Sequence, residues 1–584
     1  MNIFGCVSSD SVLCCNMLRL AFFAVLLAGA LGSSDYTNRV FKESCDGLSA
    51  EVDSGKLCGL IKEYKNTTFG TFRGVPYAKP PLAELRFKEL QKAEAWEDYL
   101  DASVEGSICP QRIILFGPLM APRSIGEDCI NANIHVPLEN GALPTKNKLP
   151  IIVWVHGGGF TVGSGDSDAY GPEYLMSRGV ILITFNYRLG ALGFLTLNTP
   201  SVPGNNGLRD ILTLLRWVQE NGAKFGGDVD DVTIFGQSAG ASAAHMLLLS
   251  PQTQDGKLFQ KAILQSGSAV RSFFNYQPAY TATVAQTFLT LMGINSTDPE
   301  EIHKQLIEAD VEQYMEVSSV MQDATGLPPF GPVIESTHEG VNIVIDKDPE
   351  ELIEMGRGQN IPMLLGFTED ECFTFRGRIV EVNLTTKFDA NSDLALPPAL
   401  ATSPLKDELS PRMKERYVSG ENITLDEFQN LCSEAYFKYG VIYTAQRREQ
   451  LGGAESFLYQ FAYRGEHRLL DVLGYKLKKT CHFEDVTYVF QQHTNVSIPE
   501  DVFEGSVDRD MQNWLVDIVI NFVKKSDPAG SVVNWPPISR FLFRYQDIVE
   551  NKYKTASLLT DTKTKDLVDF LTKLYNDGAA TQRG

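Results

Sequence analysis

A serine between two glycines, at the junction of a buried strand and a helix, is the feature that most limits how this chain can fold. The strand is predicted over 232–235, Gly236-Gln237-Ser238-Ala239-Gly240 follows at once, and a helix is predicted over 241–249. A side chain at such a junction projects from a tight turn, and the flanking glycines allow close packing around it. The alternative is an ordinary glycine-rich turn with an exposed serine, because a bare G-x-S-x-G pattern often arises by chance.

The segments on both sides of this turn alternate between strands and helices. Apolar runs over 150–156, 179–187 and 261–265 are predicted as buried strands. Residues 208–221 carry apolar side chains at helical spacing, and 270–450 are expected to be more helical. Such alternation predicts a mostly parallel α/β sheet flanked by helices. Because no repeat or Pro/Ser-rich linker divides the chain, a single large domain is expected.

A glycine-rich loop directly follows the strand at 150–156. Its sequence is His156-Gly157-Gly158-Gly159-Phe160. Consecutive glycines leave backbone N–H groups free to converge on the anionic oxygen of a tetrahedral intermediate, where losing one donor costs about 3–4 kcal/mol of barrier. A phosphate-binding loop is the alternative, but neither a following Lys-Ser/Thr pair nor a G-x-G-x-x-G pattern is present. The loop therefore favours acyl transfer.

Composition and charge exclude several classes of protein. The chain has 43% hydrophobic and 21% charged residues, which is ordinary globular usage and excludes a disordered or collagen-like chain. A net charge of −21 repels phosphate backbones, so no nucleic-acid partner is expected. The histidines and cysteines lack metal-ligand spacings such as H-E-x-x-H or paired C-x-x-C. Neither a metal nor another cofactor is expected.

The N-terminal segment predicts secretion. Residues 20–31 are nearly all apolar, Arg19 precedes them, and small residues end the run, as in a signal peptide. We predict a signal peptide over 1–32, with Met17 as an alternative start, and a mature domain over 33–584. The alternative is a permanent anchor, but the apolar run is shorter than the roughly 20 residues that a membrane span needs. No membrane anchor is expected.

Cysteines and glycosylation motifs agree with an extracellular location. Of the ten cysteines, three precede the predicted cleavage point. Cys109 and Cys129 enclose a short loop and are the first predicted disulfide, with Cys45 and Cys58 as a second candidate pair. The other three cysteines are Cys372, Cys432 and Cys481, and an odd total leaves at least one thiol free. Five sequons predict a glycoprotein, beginning at Asn66, Asn295, Asn383, Asn422 and Asn495.

Several segments, in order, resemble one family over nearly the whole mature length. They are Phe72-Arg73-Gly74-Val75-Pro76, Glu127-Asp128-Cys129, Asn186-Tyr187-Arg188, Gly204-Asn205-Asn206-Gly207, Phe225-Gly226-Gly227-Asp228 and Gln265-Ser266-Gly267-Ser268. The chain is similar in these segments to the type-B carboxylesterases, which are cholinesterase-like members of the α/β-hydrolase family. This resemblance implies an α/β-hydrolase fold and the hydrolysis of carboxylic esters through an acyl-serine intermediate, with no cofactor.

The resemblance also implies the nucleophile and the acid of a catalytic triad. Ser238 matches the nucleophile, and Glu371 matches the acid at the end of a strand. The family normally has a glycine after this acid, whereas Cys372 stands here. Glu369 and Asp370 are therefore competing carboxylates.

His482 matches the base of the family, and the order Ser, Glu, His is the one expected of this fold. Lys479 replaces a glycine that usually lies three residues before the base. Among the other histidines, His467 and His493 are the alternatives, while His156 is expected to support the glycine-rich loop.

The remaining site residues also follow from the resemblance. The N–H groups of Gly158, Gly159 and Ala239 would form the oxyanion hole, and Ser266 would support the acid. An ordinary serine at a strand end is the alternative interpretation of Ser266.

Two features of the sequence narrow the range of expected substrates. Cholinesterases carry a cation-binding tryptophan in the loop at 110–128, but no tryptophan occurs there in this chain. Gln237 also replaces their glutamate before the nucleophile. The loop instead contains apolar residues, namely Ile113, Ile114, Leu115, Phe116 and Met120. A small hydrophobic ester is therefore the expected partner, and choline esters are not.

The Gly-Gln-Ser-Ala-Gly form of the motif resembles insect juvenile hormone esterases, a secreted subgroup that acts on a hydrophobic methyl ester. That subgroup usually has glutamine where Ile211 stands and glycine where Lys479 stands. Odorant or pheromone esters and dietary or xenobiotic esters remain alternative substrates. A lipase, a sequestering esterase that turns over slowly, and a non-catalytic adhesion homologue are the other functional alternatives.

Overall fold

The computed structural model describes residues 39–112, 124–274, 277–466, 468, 479–493, 505–530, 535–539, 544–549, 552–557 and 561–579. Five predictions lie outside these residues: the signal peptide over 1–32, the start at Met17, the apolar loop residues over 113–120, the alternative base His467 and the sequon at Asn495.

The described residues form one mixed sheet of fourteen strands. These are β1 (Phe41–Lys42), β2 (Leu48–Val52), β3 (Gly55–Tyr64), β4 (Thr67–Pro76), β5 (Tyr99–Asp101), β6 (Asn131–Pro137), β7 (Leu149–Val155), β8 (Ile181–Phe185), β9 (Gly227–Gln237), β10 (Lys261–Gln265), β11 (Met363–Thr368), β12 (Ser456–Phe461), β13 (Arg544–Val549) and β14 (Lys552–Ser557). The order is β1-β5-β3-β4-β6-β8-β7-β9-β10-β11-β12-β13-β14, and β2 pairs with β3.

The centre of the sheet is parallel and its edges are mainly antiparallel. All pairings from β8 through β7, β9, β10, β11 and β12 to β13 are parallel. Functional groups of an open parallel sheet gather at the carboxyl ends of its strands, which fixes where a site can form.

Helices lie on both faces of the sheet. Their bounds are α1 (Glu173–Met176), α2 (Gly190–Phe194), α3 (Asn206–Asn221), α4 (Ala239–Leu249), α5 (Pro278–Leu291), α6 (Pro299–Glu308), α7 (Val311–Thr325), α8 (Pro349–Glu354), α9 (Arg376–Glu381), α10 (Leu384–Ala390), α11 (Pro398–Ala401), α12 (Lys406–Tyr417), α13 (Leu425–Cys432), α14 (Tyr439–Gln450), α15 (Val486–Val489), α16 (Val507–Lys525) and α17 (Thr562–Ala579). None of these helices is both long enough and apolar enough to cross a bilayer.

Two hydrophobic layers cover the two faces of the sheet, which explains why the central strands are apolar throughout. In β7, Val153 and Val155 pack into the layer that contains α3 and α4. Ile152 and Trp154 pack into the layer on the other face, which contains α16. Strands buried on both faces are continuous hydrophobic runs rather than alternating ones.

The predicted α/β fold with a mostly parallel sheet in a single domain is confirmed, with shifts at the element ends. The strand predicted over 232–235 is the much longer β9, because Gly227 and Asp228 also pair with β7, across a register shift that leaves 229–231 without partners on β7. The helix predicted over 208–221 begins earlier, at Asn206, after Asn205 in the left-handed conformation. The helix-rich span of 270–450 also contains the strand β11.

Candidate active site

Ser238 lies at the sharp turn between β9 and α4. Its backbone has φ +57° and ψ −125°, a conformation that is costly for a residue other than glycine. Only glycine fits at the second residue of α4, since a Cβ on Gly240 would lie 2.0 Å from the Val155 carbonyl oxygen. The Ser238 N–H donates to the Gln265 carbonyl over 2.8 Å and so ties the turn to β10. This strained junction projects the serine beyond the carboxyl edge of the sheet.

His482 and Glu371 form a buried pair beside this turn. The distance from His482 Nδ1 to Glu371 Oε2 is 2.6 Å. The other carboxylate oxygen accepts hydrogen bonds from Ser266 Oγ over 2.8 Å and from the Thr368 N–H over 2.7 Å. Because Nδ1–H donates to the carboxylate, the lone pair of the ring lies on Nε2, where it can accept a proton.

The competing carboxylates have other partners. Glu369 lies 3.5 Å from the guanidinium of Arg464. Asp370 accepts a hydrogen bond from Ser433 Oγ over 2.9 Å and lies 3.5 Å from Lys479 Nζ. The lysine that replaces the family's glycine is thus paired with the carboxylate beside the predicted acid.

Two other histidines have separate structural surroundings. His156 is buried, its Nδ1 contacts the Gly157 carbonyl at 2.8 Å, and its ring stacks on Tyr187 with centroids 4.4 Å apart. Burial lowers the pKa of His156 to about 4, so this ring is neutral at physiological pH. His493 contacts Glu173 at 2.9 Å, and the hydrogen bond to that carboxylate raises the pKa of His493.

The glycine-rich loop passes directly over the serine. A Cβ on Gly157 would lie 2.9 Å from Ser238 Cβ. Gly158 and Gly159 have φ of +111° and +64°, and within the described residues no hydrogen bond uses their N–H groups. Gln111 holds the far end of the loop, since its side chain donates to the Gly163 carbonyl over 2.8 Å and accepts from the Gly163 N–H over 2.7 Å.

A cavity of about 210 Å³ opens above Ser238 and His482. The loop from Gly157 to Gly163 lines one part of it, and a mainly apolar wall lines much of the rest. That wall includes Leu327, Ile379, Val382, Leu384, Phe428 and Phe437. A hydrophobic molecule with one polar reacting group fits such a lining, because the wall offers burial and the loop offers donors.

Comparison with known proteins identifies the family. A model of the carboxylesterase family matches residues 46–567. The chain belongs to the carboxylesterase family. It is a carboxylic ester hydrolase, with the α/β-hydrolase fold of that family.

Relatives of this carboxylesterase include insect and bacterial enzymes. The juvenile hormone esterase of Heliothis virescens is 44% identical over 536 residues, covering 89% of this chain and 93% of that protein. The para-nitrobenzyl esterase of Bacillus subtilis is 30% identical over 494 residues, with 82% and 91% covered. The crystal structure of juvenile hormone esterase from Manduca sexta, with OTFP covalently attached, has a TM-score of 0.87 at 42% identity and covers 91% of this chain and 100% of its own.

A contact between Gln237 and His482 was not predicted from the sequence. The side-chain amide of Gln237 donates to His482 Nε2 over 3.0 Å. Gln237 is only 2% exposed, and in the described part of the chain the Ser238 hydroxyl makes no hydrogen bond to His482. The motif shows that a glutamine precedes the serine, but only the folded chain shows that its amide covers the lone pair of the histidine.

The described residues include seven cysteines and four of the five sequon asparagines. The structure contains disulfides Cys45–Cys58, Cys109–Cys129 and Cys372–Cys432, and leaves Cys481 as a buried thiol. The third pairing had no sequence signal. Four sequon asparagines are exposed, namely Asn66, Asn295, Asn383 and Asn422. No group of three or more potential metal ligands occurs within the described ranges.

Proposed function

We propose that this carboxylesterase cleaves esters through an acyl-enzyme on Ser238, with His482 as general base and Glu371 as the acid that orients it. The contact that carries the proposal is the 2.6 Å pair between His482 Nδ1 and Glu371, because it fixes the ring with Nε2 as the acceptor. Ser238 and His482 also line the same cavity. His482 takes the proton as the Ser238 oxygen attacks the carbonyl carbon, and then gives it to the leaving alcohol.

The N–H groups of Gly158, Gly159 and Ala239 are proposed to bind the oxyanion. The free N–H groups of the two loop glycines and the closeness of the loop to Ser238 support this role. Donors held in place before the reaction stabilise the developing charge without reorganisation. Water then attacks the acyl-enzyme, and His482 again takes and returns the proton.

Ser266 is proposed to hold the acid in place. Its hydroxyl donates to Glu371 Oε1 over 2.8 Å, and the Thr368 N–H donates to the same oxygen. Two donors on one oxygen leave the second oxygen directed at His482.

The proposed substrate is a hydrophobic methyl ester of the juvenile hormone type. The support is the apolar wall of the cavity together with the juvenile hormone esterases of Heliothis virescens and Manduca sexta among the relatives. Gln237 provides no negative charge for a cationic alcohol group. Ile211, which replaces the glutamine of that subgroup, is fully buried in the core and lies away from the cavity lining.

Methyl esters with a lengthening acyl chain test the proposed substrate. We expect kcat/KM to rise about three- to fourfold with each added methylene until the wall is covered, because each buried methylene contributes about 0.8 kcal/mol. Juvenile hormone should compete with the best member of the series, and acetylcholine should not. A preference for the shortest chains, or for the choline ester, would contradict the proposal.

Replacing Gln237 by glutamate should change the pH dependence. The amide donates to the neutral ring, whereas a carboxylate in its place would favour the protonated ring, which cannot accept the Ser238 proton. We expect the acidic limb of the kcat/KM profile to move upward by about one pH unit. Gln237→Met, which adds no charge, is the matched control and should move the limb less. An unchanged limb in Gln237→Glu would exclude this contact from the working enzyme.

We propose further that residues 1–32 are a signal peptide, that 33–584 form the mature domain and that the protein is secreted as a glycoprotein. Three disulfides among the described residues support an oxidising compartment. N-terminal sequencing of the protein from culture medium would test the cleavage point, and a mass shift on glycan removal would test the sequons. A full-length protein retained in cells would contradict this proposal.

A further inference from the structure

The disulfide between Cys372 and Cys432 begins at the residue directly after the proposed acid. Cys372 is in the short helix Glu371–Phe375 and is fully buried. Cys432 ends α13 and lines the cavity. The type-B carboxylesterases normally have a glycine at the position of Cys372, so their resemblance to this chain does not account for the bridge.

Hydrogen bonds strengthen the same connection on both sides of Glu371. The Cys372 N–H donates to Ser433 Oγ over 2.9 Å, and that hydroxyl donates to Asp370 Oδ1 over 2.9 Å. Lys438 Nζ also donates to the Glu369 carbonyl over 2.5 Å. Three residues of the turn that carries the acid are therefore attached to the segment over 432–438. They are Glu369, Asp370 and Cys372.

The segment after Cys432 also contacts the proposed base. It continues as the π-helical turn Ser433–Lys438, a conformation often found at functional sites. Phe437 in this turn lines the cavity, and its ring centroid lies 4.7 Å from that of His482. One short segment thus contacts the acid turn, the base and the space for the substrate.

The bridge closes a long excursion of the chain that forms the apolar wall. Its two cysteines are 60 residues apart. Between them, α9 contributes Ile379 to the cavity lining and α10 contributes Leu384. A hydrophobic substrate in the cavity would contact these side chains, and α13 lines the same cavity through Phe428 and Cys432.

We propose that the Cys372–Cys432 disulfide is a positioning device that keeps Glu371 in contact with His482 when a bulky substrate fills the cavity. The inference rests on the proposed role of Glu371 as the triad acid. The bridge holds the acid turn against the end of α13. A substrate that displaces the apolar wall therefore does not separate the Glu371 carboxylate from His482 Nδ1. A bridge that only stabilises the fold would change the amount of folded enzyme and leave kcat per active site unchanged.

The test is a double variant, Cys372→Gly with Cys432→Ala, in the full secreted chain. We expect kcat per site, counted by stoichiometric organophosphate, to fall ten- to hundredfold, since a misplacement of about 1 Å can cost a hundredfold in rate. The matched control is Cys45→Ser with Cys58→Ser, which removes a bridge between β3 and the chain before β2 and should stay within twofold. A twofold change or less in both variants would overturn the inference.

A double-mutant cycle with Glu371→Gln separates positioning from general stabilisation. In the Glu371→Gln background, removing the bridge should lower kcat by less than a further twofold, relative to Glu371→Gln alone. Fully additive losses would overturn the positioning role. If Glu371→Gln alone keeps full activity, the proposed triad fails instead, so the two failures are distinguishable.

Native reduction provides a second route if the double variant does not fold. A phosphine reductant is applied to the wild-type protein, and alkylated cysteines are counted by mass spectrometry. Activity should fall in step with alkylation of Cys372 and Cys432, and oxidation of an unalkylated sample should restore it. Full activity with this bridge open would contradict the inference.

Discussion

Replacing Ser238 by alanine is expected to lower kcat by at least about 10⁴-fold, because losing the nucleophile of a serine hydrolase removes the covalent route. The change deletes one hydroxyl at a residue that is 5% exposed and keeps the backbone of the turn. The thermal midpoint should therefore stay within about 2 °C of the wild type. Steady-state hydrolysis of a p-nitrophenyl ester and a thermal melt measure the two quantities.

Ser266→Ala is a matched control for the deletion of a hydroxyl at this edge of the sheet. It removes one hydrogen bond to Glu371, while the Thr368 N–H still donates to the same oxygen. Its loss of kcat should be far smaller than that of Ser238→Ala. Substantial turnover by the Ser238 variant would exclude the proposed nucleophile.

The second large effect is expected for Glu371→Gln, with a fall in kcat of about 10⁴-fold, by analogy with amide substitution of a triad acid. The glutamine keeps the size of the side chain but presents either a donor or a neutral acceptor to His482 Nδ1. The ring then loses the charge that stabilises its protonated form and can adopt the wrong tautomer. Measuring kcat on inhibitor-titrated enzyme separates this effect from the loss of folded protein.

Asp370→Asn is the matched control, since it makes the same chemical change one residue earlier. Asp370 contacts Ser433 and Lys479 rather than His482, so its variant should lose less than tenfold in kcat. A large loss in Asp370→Asn together with a small loss in Glu371→Gln would show that the acid has been assigned to the wrong carboxylate.

Much of the fold could be predicted from the sequence because its signals are local. The strands β7, β8 and β10 are continuous apolar runs, and the glycines on both sides of Ser238 mark a turn where a Cβ would collide with backbone. The charged first half of β9 could not be predicted in this way. The strand extends this far because Gly227 and Asp228 pair with Leu149 and Pro150 of β7, which is a tertiary cause.

Some residues of the candidate site could also be predicted from the sequence, whereas their contacts could not. Ser238, Glu371 and His482 are separated by more than a hundred residues each, and only a family resemblance could link them before the structure brought them together. The contacts of Gln237 with His482 and of Cys372 with Cys432 had no counterpart in any motif. Both depend on which side chains the fold brings into contact, and neither follows from spacing along the chain.

The central claim is that Ser238 is the nucleophile of a hydrophobic-ester hydrolase. Its most direct test is titration of the secreted protein with an organophosphate during hydrolysis of a p-nitrophenyl acyl ester, followed by mass spectrometry of the modified peptide. We expect complete loss of turnover at one inhibitor per chain, with the adduct on Ser238. Residual turnover at full labelling, or an adduct on another residue, would contradict it.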